Sequence, residues 1–506
     1  MPDGQGYGAT AGASTASTPK ATRVGDIDNS VAIPTARYEE LAAKRALPRA
    51  LMGGTKAMRE AGEKFLPRHP DEAQASYDMR LKSTTLYNGF KETVTAQSAK
   101  FFAEPIVLKD DVPPRIKELA DNIDQQRRAI TPFCHDLARE AFIDGVSFIF
   151  VDMPKLPPGA TLYDQQQAKA RPYWVLVCAD ALIGWRSDPT TGDLLQARIR
   201  ENVVLPDGAF GERIVKRVRV LEPGAWTVWE LRKVENRTEE VWVCIEEGAA
   251  SLKRIALFPF YTNRVGYMEG EPPLMALAEL NREHWHSSSE QRRALSFLRF
   301  AMLKITGVMG GPTGDKKISI APDKILTLPV GADAAYVEHS GAGIAAGQAD
   351  IDAIETRMAS AGMQLRVDQS SGNVSATEAA IDSAETNAGL RAVAKGLTDT
   401  IALALQADAD FLGLPNGGSV DLFDDFANAQ IPGTVSELQG LVTAKIVSRP
   451  TIWKELKRRH VLDEEFDDKQ EQTLLDEESA KDFQSQVEMF QATQPEPAAP
   501  AAGGGA

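Results

Sequence analysis

The chain has 506 residues, of which 43% are hydrophobic, and a formal net charge of −15. This length predicts two to four domains with ample apolar material for a core, and the acidic balance argues against a protein that grips DNA by neutralising its phosphates. The three cysteines are widely spaced and show no C-x-x-C pattern, which indicates a reducing compartment and argues against a zinc site. The sequence contains no apolar run long enough to span a bilayer, so we expect no contact with a membrane.

Both ends of the chain are low in complexity. Residues 1–36 open with a Gly/Ala/Ser/Thr-rich stretch that lacks the pattern of a secretory signal, and residues 491–506 are rich in Pro, Ala and Gly. We expect a disordered arm at 1–36 and a disordered tail at 491–506.

The N-terminal third predicts helices and then a strand. Residues 37–104 are mostly helical in pattern, with a break near Pro67 and Pro70 and one long helix from about Asp71 to Ala103. Thr131-Pro132 is a favourable helix start, and this helix is predicted to end near Gly145. The apolar run at 146–151 then reads as a buried strand.

From 172 to 262 the pattern becomes strand-like, with short runs rich in β-branched and aromatic residues separated by turn residues. We interpret residues 37–272 as an α+β region with a mostly antiparallel sheet. The predicted strands are 173–178, 195–199, 214–221, 226–231, 241–245 and 255–260.

The middle of the chain predicts a definite order of elements. A helix over about 274–303 leads to a small strand module, which contains predicted strands at 304–308, 318–320, 325–328 and 335–338. A second helix follows from about Asp350 to Gln369. Gly372-Asn373 marks a turn, and the capping box Ser375-Ala-Thr-Glu378 begins a long proline-free helix. Further helices are expected at 434–447, 450–459 and 470–492.

The segment 281–293 contains one apolar residue, Trp285. A helix that is polar on all faces is not expected in the core of a monomer. Two interpretations remain open, namely an exposed connecting helix and a helix that packs against copies of itself in a hydrated ring.

Several near-motifs for chemistry do not reach the required pattern. His284 and His286 point about 200° apart on a helix, so they cannot share one metal ion. The stretch 341–347 has the spacing G-x-G-x-x-x-G without a surrounding βαβ unit, and we expect a flexible connector there. The stretch 310–317 lacks the Gly-Lys-Ser/Thr of a phosphate-binding loop. The sequence therefore predicts no metal site, no cofactor and no catalytic residue.

Charge is unevenly distributed near the C-terminus. Residues 461–490 contain 11 acidic and 2 basic residues, and the only dense basic patch lies just before them at 454–460. We expect the basic patch to form ion pairs with the acidic stretch rather than to contact DNA.

The order of elements resembles that of tailed-bacteriophage portal proteins, the head-to-tail connector rings of phage capsids. The resemblance covers about 40–480 and is strongest in the strings 273–289 and 371–378. It implies a portal-like α+β fold with these parts: a wing (37–272), a stem helix (273–303), a β-containing clip (304–347), a second stem helix (348–369), a tunnel loop (370–376), a long wing helix (377–415) and a helical crown (416–490).

The resemblance also implies a function and partners. The chain would be a non-enzymatic subunit of a ring of twelve at the capsid vertex of the virion, assembled in the host cytoplasm. Double-stranded DNA would pass through the ring without sequence-specific contacts during packaging and ejection. Expected protein partners are the terminase large subunit, the major capsid protein and a head-completion or tail adaptor protein.

Two sets of site residues follow from the same resemblance. The DNA-facing tunnel loop would comprise Gln369, Ser370, Ser371, Gly372, Asn373 and Val374, which are all uncharged. The stem and subunit interface would comprise Arg282, Glu283, Trp285, Glu290 and Arg293.

Two other functional classes remain as alternatives. Another virion structural or adaptor protein would lack the order helix, β module, helix, loop and long helix. A cytosolic enzyme would bring titratable groups together in one cleft, for which the sequence offers no pattern.

Overall fold

The computed structural model describes residues 22–154, 170–235, 237–298, 302–306, 333–337, 342–363, 376–423, 448–458, 462 and 466–492. The chain divides into two compact units, Met1–Asp424 and Asp425–Ala506. The described part of the first unit combines helices with antiparallel sheets, so the predicted α+β class is confirmed. None of the described helices is long and apolar enough to cross a membrane.

Helices dominate the N-terminal part of the first unit. They are α1 (Ala36–Met52), α2 (Gly54–Ala61), α3 (Gln74–Ser83), α4 (Gly89–Lys100), α5 (Pro114–Lys117) and α6 (Ile130–Asp144), with short 3₁₀ turns at Asn29–Ala32, Gly62–Lys64 and Ala120–Asn122. Helix α6 and its end at Gly145 match the prediction.

The single long helix predicted over 71–103 is wrong, because polar caps divide it into α3 and α4. The hydroxyl of Thr84 donates to the Arg80 carbonyl at 2.7 Å and closes α3. The side chain of Asn88 accepts from the Lys91 amide at 3.0 Å and starts α4. These local hydrogen bonds override the apolar periodicity that runs through both helices.

Residues 22–35 were expected within the disordered arm, and this expectation is wrong for them. The Gly25 amide donates to the Cys244 carbonyl at 2.8 Å, and the Cys244 amide donates to the Asp26 carbonyl at 2.9 Å. The segment thereby covers the outer edge of a sheet strand, whose backbone groups need partners.

The strands of the body form two main antiparallel sheets. Their bounds are β1 (Val107–Leu108), β2 (Val146–Asp152), β3 (Tyr173–Cys178), β4 (Leu182–Ser187), β5 (Leu194–Asp207), β6 (Gly211–Glu222), β7 (Ala225–Lys233), β8 (Glu240–Ala249), β9 (Leu257–Tyr261), β10 (Arg264–Gly266) and β11 (Glu269–Gly270). One sheet has the order β3-β2-β9 and the other β4-β5-β6-β7-β8. The predicted strands are present, while β4 was missed and β5 is longer than predicted.

The two sheets share an apolar core. Phe148 and Phe150 of β2 belong to one buried cluster with Leu182 of β4, Ile199 of β5 and Leu221 of β6. The alternation of β2 directs these side chains to one face. The body is thus built around the strand that the sequence predicted most clearly.

The second half of the first unit contains α7 (Met275–Leu298), β12 (Met302–Thr306), β13 (Asp333–Val337), α8 (Ala342–Met363), α9 (Ala376–Leu412) and β14 (Val420–Asp421). Helix α8 begins at Ala342, so the flexible connector expected over 341–347 is wrong from that residue onward. The predicted strands at 318–320 and 325–328 lie outside the described residues.

The second unit contains α10 (Arg449–Arg458) and α11 (Asp468–Ala492), close to two predicted helices. Lys457 forms an ion pair with Asp468 at 3.0 Å, as expected for a basic patch beside the acidic stretch. The helix predicted at 434–447 lies outside the described residues.

Candidate functional site

Helices α7 and α8 run antiparallel and are connected along their length by polar pairs. In these pairs the residue numbers rise along one helix and fall along the other, as the antiparallel direction requires. We call each pair a rung between the two helices. The three rungs are Glu283–Arg357, His284–Glu355 and Ser287–Asp350, each at 3.1 Å.

The strands β12 and β13 continue the same antiparallel arrangement. Met302 pairs with Val337 and Thr306 pairs with Asp333. We call α7, β12, β13 and α8 together the helix–strand hairpin, because both the two helices and the two strands pair in an antiparallel manner. Helix first, strand pair second and returning helix third is the order that the sequence predicted.

A glycine allows α7 and α8 to approach closely at the strand end of the hairpin. The side-chain amide of Gln291 donates to the Ile344 carbonyl at 2.8 Å, and a Cβ atom at Gly347 would collide with the Gln291 side-chain oxygen. The glycine therefore has a packing function here. At the other end, Gly362 lies beside Leu277 and Thr93.

The inner face of α7 is buried against the N-terminal helices of the same chain. Asn281 is fully buried, accepts from the Phe90 amide at 3.0 Å and donates to the Tyr87 carbonyl at 2.7 Å. Trp285 is also fully buried. The amide of Asn281 thus satisfies backbone groups at the start of α4, as a buried polar side chain must.

The two histidines of α7 contact different parts of the chain. His284 is buried, pairs with Glu355 and lies 5.1 Å from the ring of Tyr87. His286 Nε2 donates to the Phe65 carbonyl at 2.7 Å, and burial lowers its pKa. Among the described residues no group of three His, Cys, Asp or Glu side chains could hold a metal ion.

A buried ion network fixes α3 to α7. Arg80 donates to both carboxylate oxygens of Glu72, at 2.8 and 3.1 Å, and to the Ser289 hydroxyl at 3.1 Å. Arg293 of α7 pairs with the same carboxylate. The hydrogen bond from Arg80 is the main cause that lowers the Glu72 pKa to about 2.

This burial corrects the expectation that the polar segment 281–293 needs surroundings outside one subunit. Asn281, His284, Trp285 and Ser289 are at most 3% exposed within a single chain. Trp285 therefore does not lie on a surface that a second subunit could contact, and Arg293 is bound to Glu72. The reason is that α7 packs on helices whose polar groups match its own.

The opposite face of α7 remains open. Arg282, Glu283 and Glu290 have side chains that are 40%, 48% and 59% exposed. Arg282 and Glu283 line a shallow depression of about 410 Å³ together with Glu279 and His286. The interface assignment of these three outward residues stays a prediction.

The predicted tunnel loop at 369–374 lies outside the described residues. Helix α9 begins at Ala376, directly after the capping-box serine, as the sequence indicated. Along its second half α9 packs on the body, where the Thr400 hydroxyl donates to the Pro259 carbonyl at 3.2 Å.

The carboxyl groups with raised pKa values hold elements of the body together. Burial raises the pKa of Asp144 to about 6, and Asp144 pairs with Arg49 between α6 and α1. Burial raises the pKa of Asp408 to about 8, and Asp408 accepts from the Trp174 indole. Neither these groups nor the Glu72–Arg80 network carried a sequence motif, because only burial makes them unusual.

Comparisons with known proteins add a family match to this geometry. Residues 273–412 match the model of a domain of unknown function, DUF4055. The matched region begins just before α7 and ends at the last residue of α9. The match covers little more than a quarter of the chain and does not place the whole chain in a family. It does show that the hairpin and α9 occur together in one sequence domain. No curated protein matches the sequence.

Three solved structures are similar to the chain at low identity. The neck of an empty gene transfer agent (GTA) particle, computed with C6 symmetry, is 14% identical, with a TM-score of 0.37 over 76% of this chain and 89% of that chain. The neck of a native GTA particle, computed with C12 symmetry, is 13% identical, with a TM-score of 0.36 over 71% and 86%.

The virion of a native GTA particle is 12% identical, with a TM-score of 0.36 over 82% of this chain and 98% of that chain. TM-scores of this size carry no argument about function. The function is therefore argued from the elements of this chain alone.

Proposed function

We propose that the chain is the subunit of a portal ring, the passive channel at a capsid vertex through which viral DNA is packaged and ejected. One observation supports this proposal above all others. After the α+β body, two antiparallel helices enclose a strand pair in the chain order helix, strand, strand, helix, and the 37-residue helix α9 follows them.

In this proposal each part has a place in the ring. Residues 37–272 form the wing, α7 and α8 are the stem helices, and β12 and β13 belong to the clip. Residues 370–376 form the tunnel loop, α9 is the long wing helix, and 416–490 form the crown. The clip contacts the terminase large subunit and later an adaptor protein, while the outer body contacts the major capsid protein.

The charge of the chain suits a channel that DNA must leave as well as enter. A net charge of −15 per subunit repels the phosphate backbone, and a lining without dense cations avoids tight, salt-dependent binding. The uncharged residues 369–374 would then touch the duplex without retaining it. The ring would hydrolyse no ATP and would need no cofactor.

A closed ring of twelve requires two different surfaces on each subunit, one for each neighbour. The exposed face of α7 offers one such surface. The side chains of Arg282 and Glu283 are 40% and 48% exposed although each forms an ion pair within the chain, and we propose that they meet the next subunit.

Assembly tests the proposal directly. Mass photometry of the purified chain is expected to show a species near twelve times 54.9 kDa, and negative-stain images are expected to show rings with a central hole. A monomer over a wide concentration range would overturn the portal assignment.

The α7 surface is tested by reversing its charge. Arg282→Glu is expected to lower the fraction of rings, and Lys56→Glu on α2, whose side chain is 87% exposed, serves as the matched control. Equal ring fractions in both variants would remove this face of α7 from the interface.

A further inference from the structure

The strands β5 and β6 extend beyond the sheet to which they belong. They pair with each other from Ala197↔Leu221 to Asp207↔Gly211, whereas β4 reaches β5 only as far as Ile199 and β7 reaches β6 only as far as Arg217. Residues 202–216 therefore form a two-stranded projection, which we call the arm. Among the described residues, each strand of the arm pairs with one strand only.

The arm exposes apolar side chains to an unusual degree. Val204 is 55% exposed, Ile214 is 72% exposed and Phe210, beside the turn, is fully exposed. Val204 and Ile214 are paired across the two strands. A two-stranded ribbon is marginally stable in water by itself, and its unpaired edges and apolar side chains favour contact with another surface.

A groove of about 940 Å³ lies at the opposite end of the same sheet. Since β6 has 12 residues, the turn between β6 and β7 lies about 40 Å from the tip of the arm. The groove runs between the segment that follows Asp28 and the strands β5 to β8. Its apolar residues include Ile33, which is 61% exposed, and Trp226, whose ring packs against the backbone of Gly248.

The arm and the groove contain side chains of opposite charge that form no ion pair with the described residues. Arg213 and Lys216 of the arm form no ion pair with any described residue. The groove contains Glu222 and Glu247, and Glu247 likewise has no ion pair among the described residues.

The other charges of both surfaces limit the complementarity to individual pairs, because the arm carries as many acidic as basic residues. The arm also carries Asp207 and Glu212, which flank its turn. The groove also contains Arg186 and Arg198, but one guanidinium nitrogen of Arg198 is engaged by the carbonyls of residues 30, 31 and 33. Glu222 accepts a hydrogen bond from Gln196 at 2.9 Å. Arg213 of the arm and Glu247 of the groove therefore form the complementary pair for which the described residues offer no other ion-pair partner.

We infer that the arm of one subunit docks into the groove of a second copy of the same chain. The arm and the groove lie at opposite ends of one sheet, so the contact is heterologous, which is the type of contact that a cyclic ring requires. In this contact Phe210 lies against Ile33 and Trp226, and Arg213 faces Glu247. The inference rests on the proposed ring, and it specifies which surfaces of the wing join neighbours.

Cysteine cross-linking tests the contact in the full chain. The variant carrying Phe210→Cys and Ile33→Cys is treated with a short bis-maleimide and resolved by denaturing electrophoresis, and linked peptides are mapped by mass spectrometry. A ladder of linked subunits is expected. Phe210→Cys combined with Met79→Cys is the matched control, because Met79 is 73% exposed on α3, and it is expected to give no ladder.

Charge reversal provides a second measurement. Arg213→Glu is expected to lower the ring fraction at least several-fold, and addition of Glu247→Arg is expected to restore it. Both surfaces are exposed, so neither change should unfold the subunit, which circular dichroism would verify.

The outcomes separate this inference from the portal proposal. Rings of the unaltered chain without a ladder from the 210–33 pair, and with full assembly of Arg213→Glu, would overturn the arm contact and leave the ring intact. If the unaltered chain stays monomeric, both the ring and the arm contact would be overturned.

Discussion

The indole nitrogen of Trp174 donates a hydrogen bond of 2.9 Å to Asp408 Oδ2, and both side chains are buried. The pair connects β3 to α9 over 234 positions of sequence. The second carboxyl oxygen of Asp408 has no partner among the described residues. The long helix is thus attached to the body through a carboxyl group that burial keeps protonated near neutral pH.

Asp408→Asn is expected to change the pH dependence of stability. Because the folded-state pKa of Asp408 is raised to about 8, its contribution is complete below its ordinary pKa and is lost as pH rises through 8. The variant should melt several degrees above the unaltered chain at pH 9 and close to it at pH 5.

Differential scanning fluorimetry across this range would measure the effect. Asp410→Asn, on the same helix in a part-exposed pair with Arg254, is the control and should show a small, nearly constant difference. If the melting temperatures of Asp408→Asn and of the unaltered chain change with pH in parallel, the raised pKa of Asp408 would be contradicted.

Glu72→Gln is expected to destabilise the junction of α3 and α7. It leaves the buried Arg80 without its carboxylate, and breaking such a pair costs about 3–5 kcal/mol. Since the Glu72 pKa is lowered to about 2, this stabilisation is present above its ordinary pKa and is lost as pH falls towards 2.

Urea denaturation at pH 7 and pH 3 would show the loss and its decrease in acid. Glu290→Gln on the exposed face of α7 is the matched control and should cost less than about 1 kcal/mol. Equal effects of the two substitutions would show that the network adds no stability.

Gly145→Ala is expected to be severely destabilising. Gly145 has φ +87° and its Cβ position is occupied by the carbonyl group of Glu271, so the variant suffers both backbone strain and a collision with main chain. Gly192→Ala is the control, because φ is +77° there but the space is empty, and it should cost about 1 kcal/mol. Similar melting temperatures for both variants would show that backbone strain alone matters at Gly145.

Trp285→Ala is expected to lower the free energy of unfolding by about 3–5 kcal/mol, as for other large core side chains. Trp285→Phe should be tolerated far better, because the indole nitrogen has no acceptor among the described residues. Denaturation at a protein concentration where subunits are separate would test this. Loss of assembly without loss of subunit stability would return Trp285 to the subunit interface.

Ser371→Lys is expected to turn the proposed tunnel loop into a ring of cations. Isolated rings of the variant should bind duplex DNA tightly at low salt, with a steep loss as salt rises. The unaltered rings and Ser371→Asp should bind weakly under the same conditions. Unchanged DNA binding by Ser371→Lys in intact rings would place residue 371 away from the duplex.

Local signals made much of the fold predictable. The buried strand β2, the helix stop at Gly145 and the start of α9 after Ser375 follow from short runs of sequence, and all three agree with the structure. The helix end at Gly145 is predictable because a glycine readily adopts the left-handed conformation that ends a helix, and Gly145 has φ +87°. The strand bounds at 173–178 agree for the same reason.

The burial of α7 could not be predicted in this way. Asn281 satisfies groups of Tyr87 and Phe90, which lie more than 190 positions earlier in the chain, and Ser289 accepts from Arg80 over a similar separation. The hydrophobic periodicity of a sequence does not show which polar side chains are buried against hydrogen-bonding partners. The segment 281–293 is therefore predicted to be solvated, although five of its thirteen residues are buried.

The register of the helix–strand hairpin separates two kinds of sequence change. Every described rung joins a residue before position 307 to one after position 332, so an insertion between these positions leaves each rung in place. A single insertion within α7 would instead rotate all later residues by about 100°. Changes of length between positions 307 and 332 are therefore compatible with the packing of α7 on α8, whereas changes of length within α7 are not.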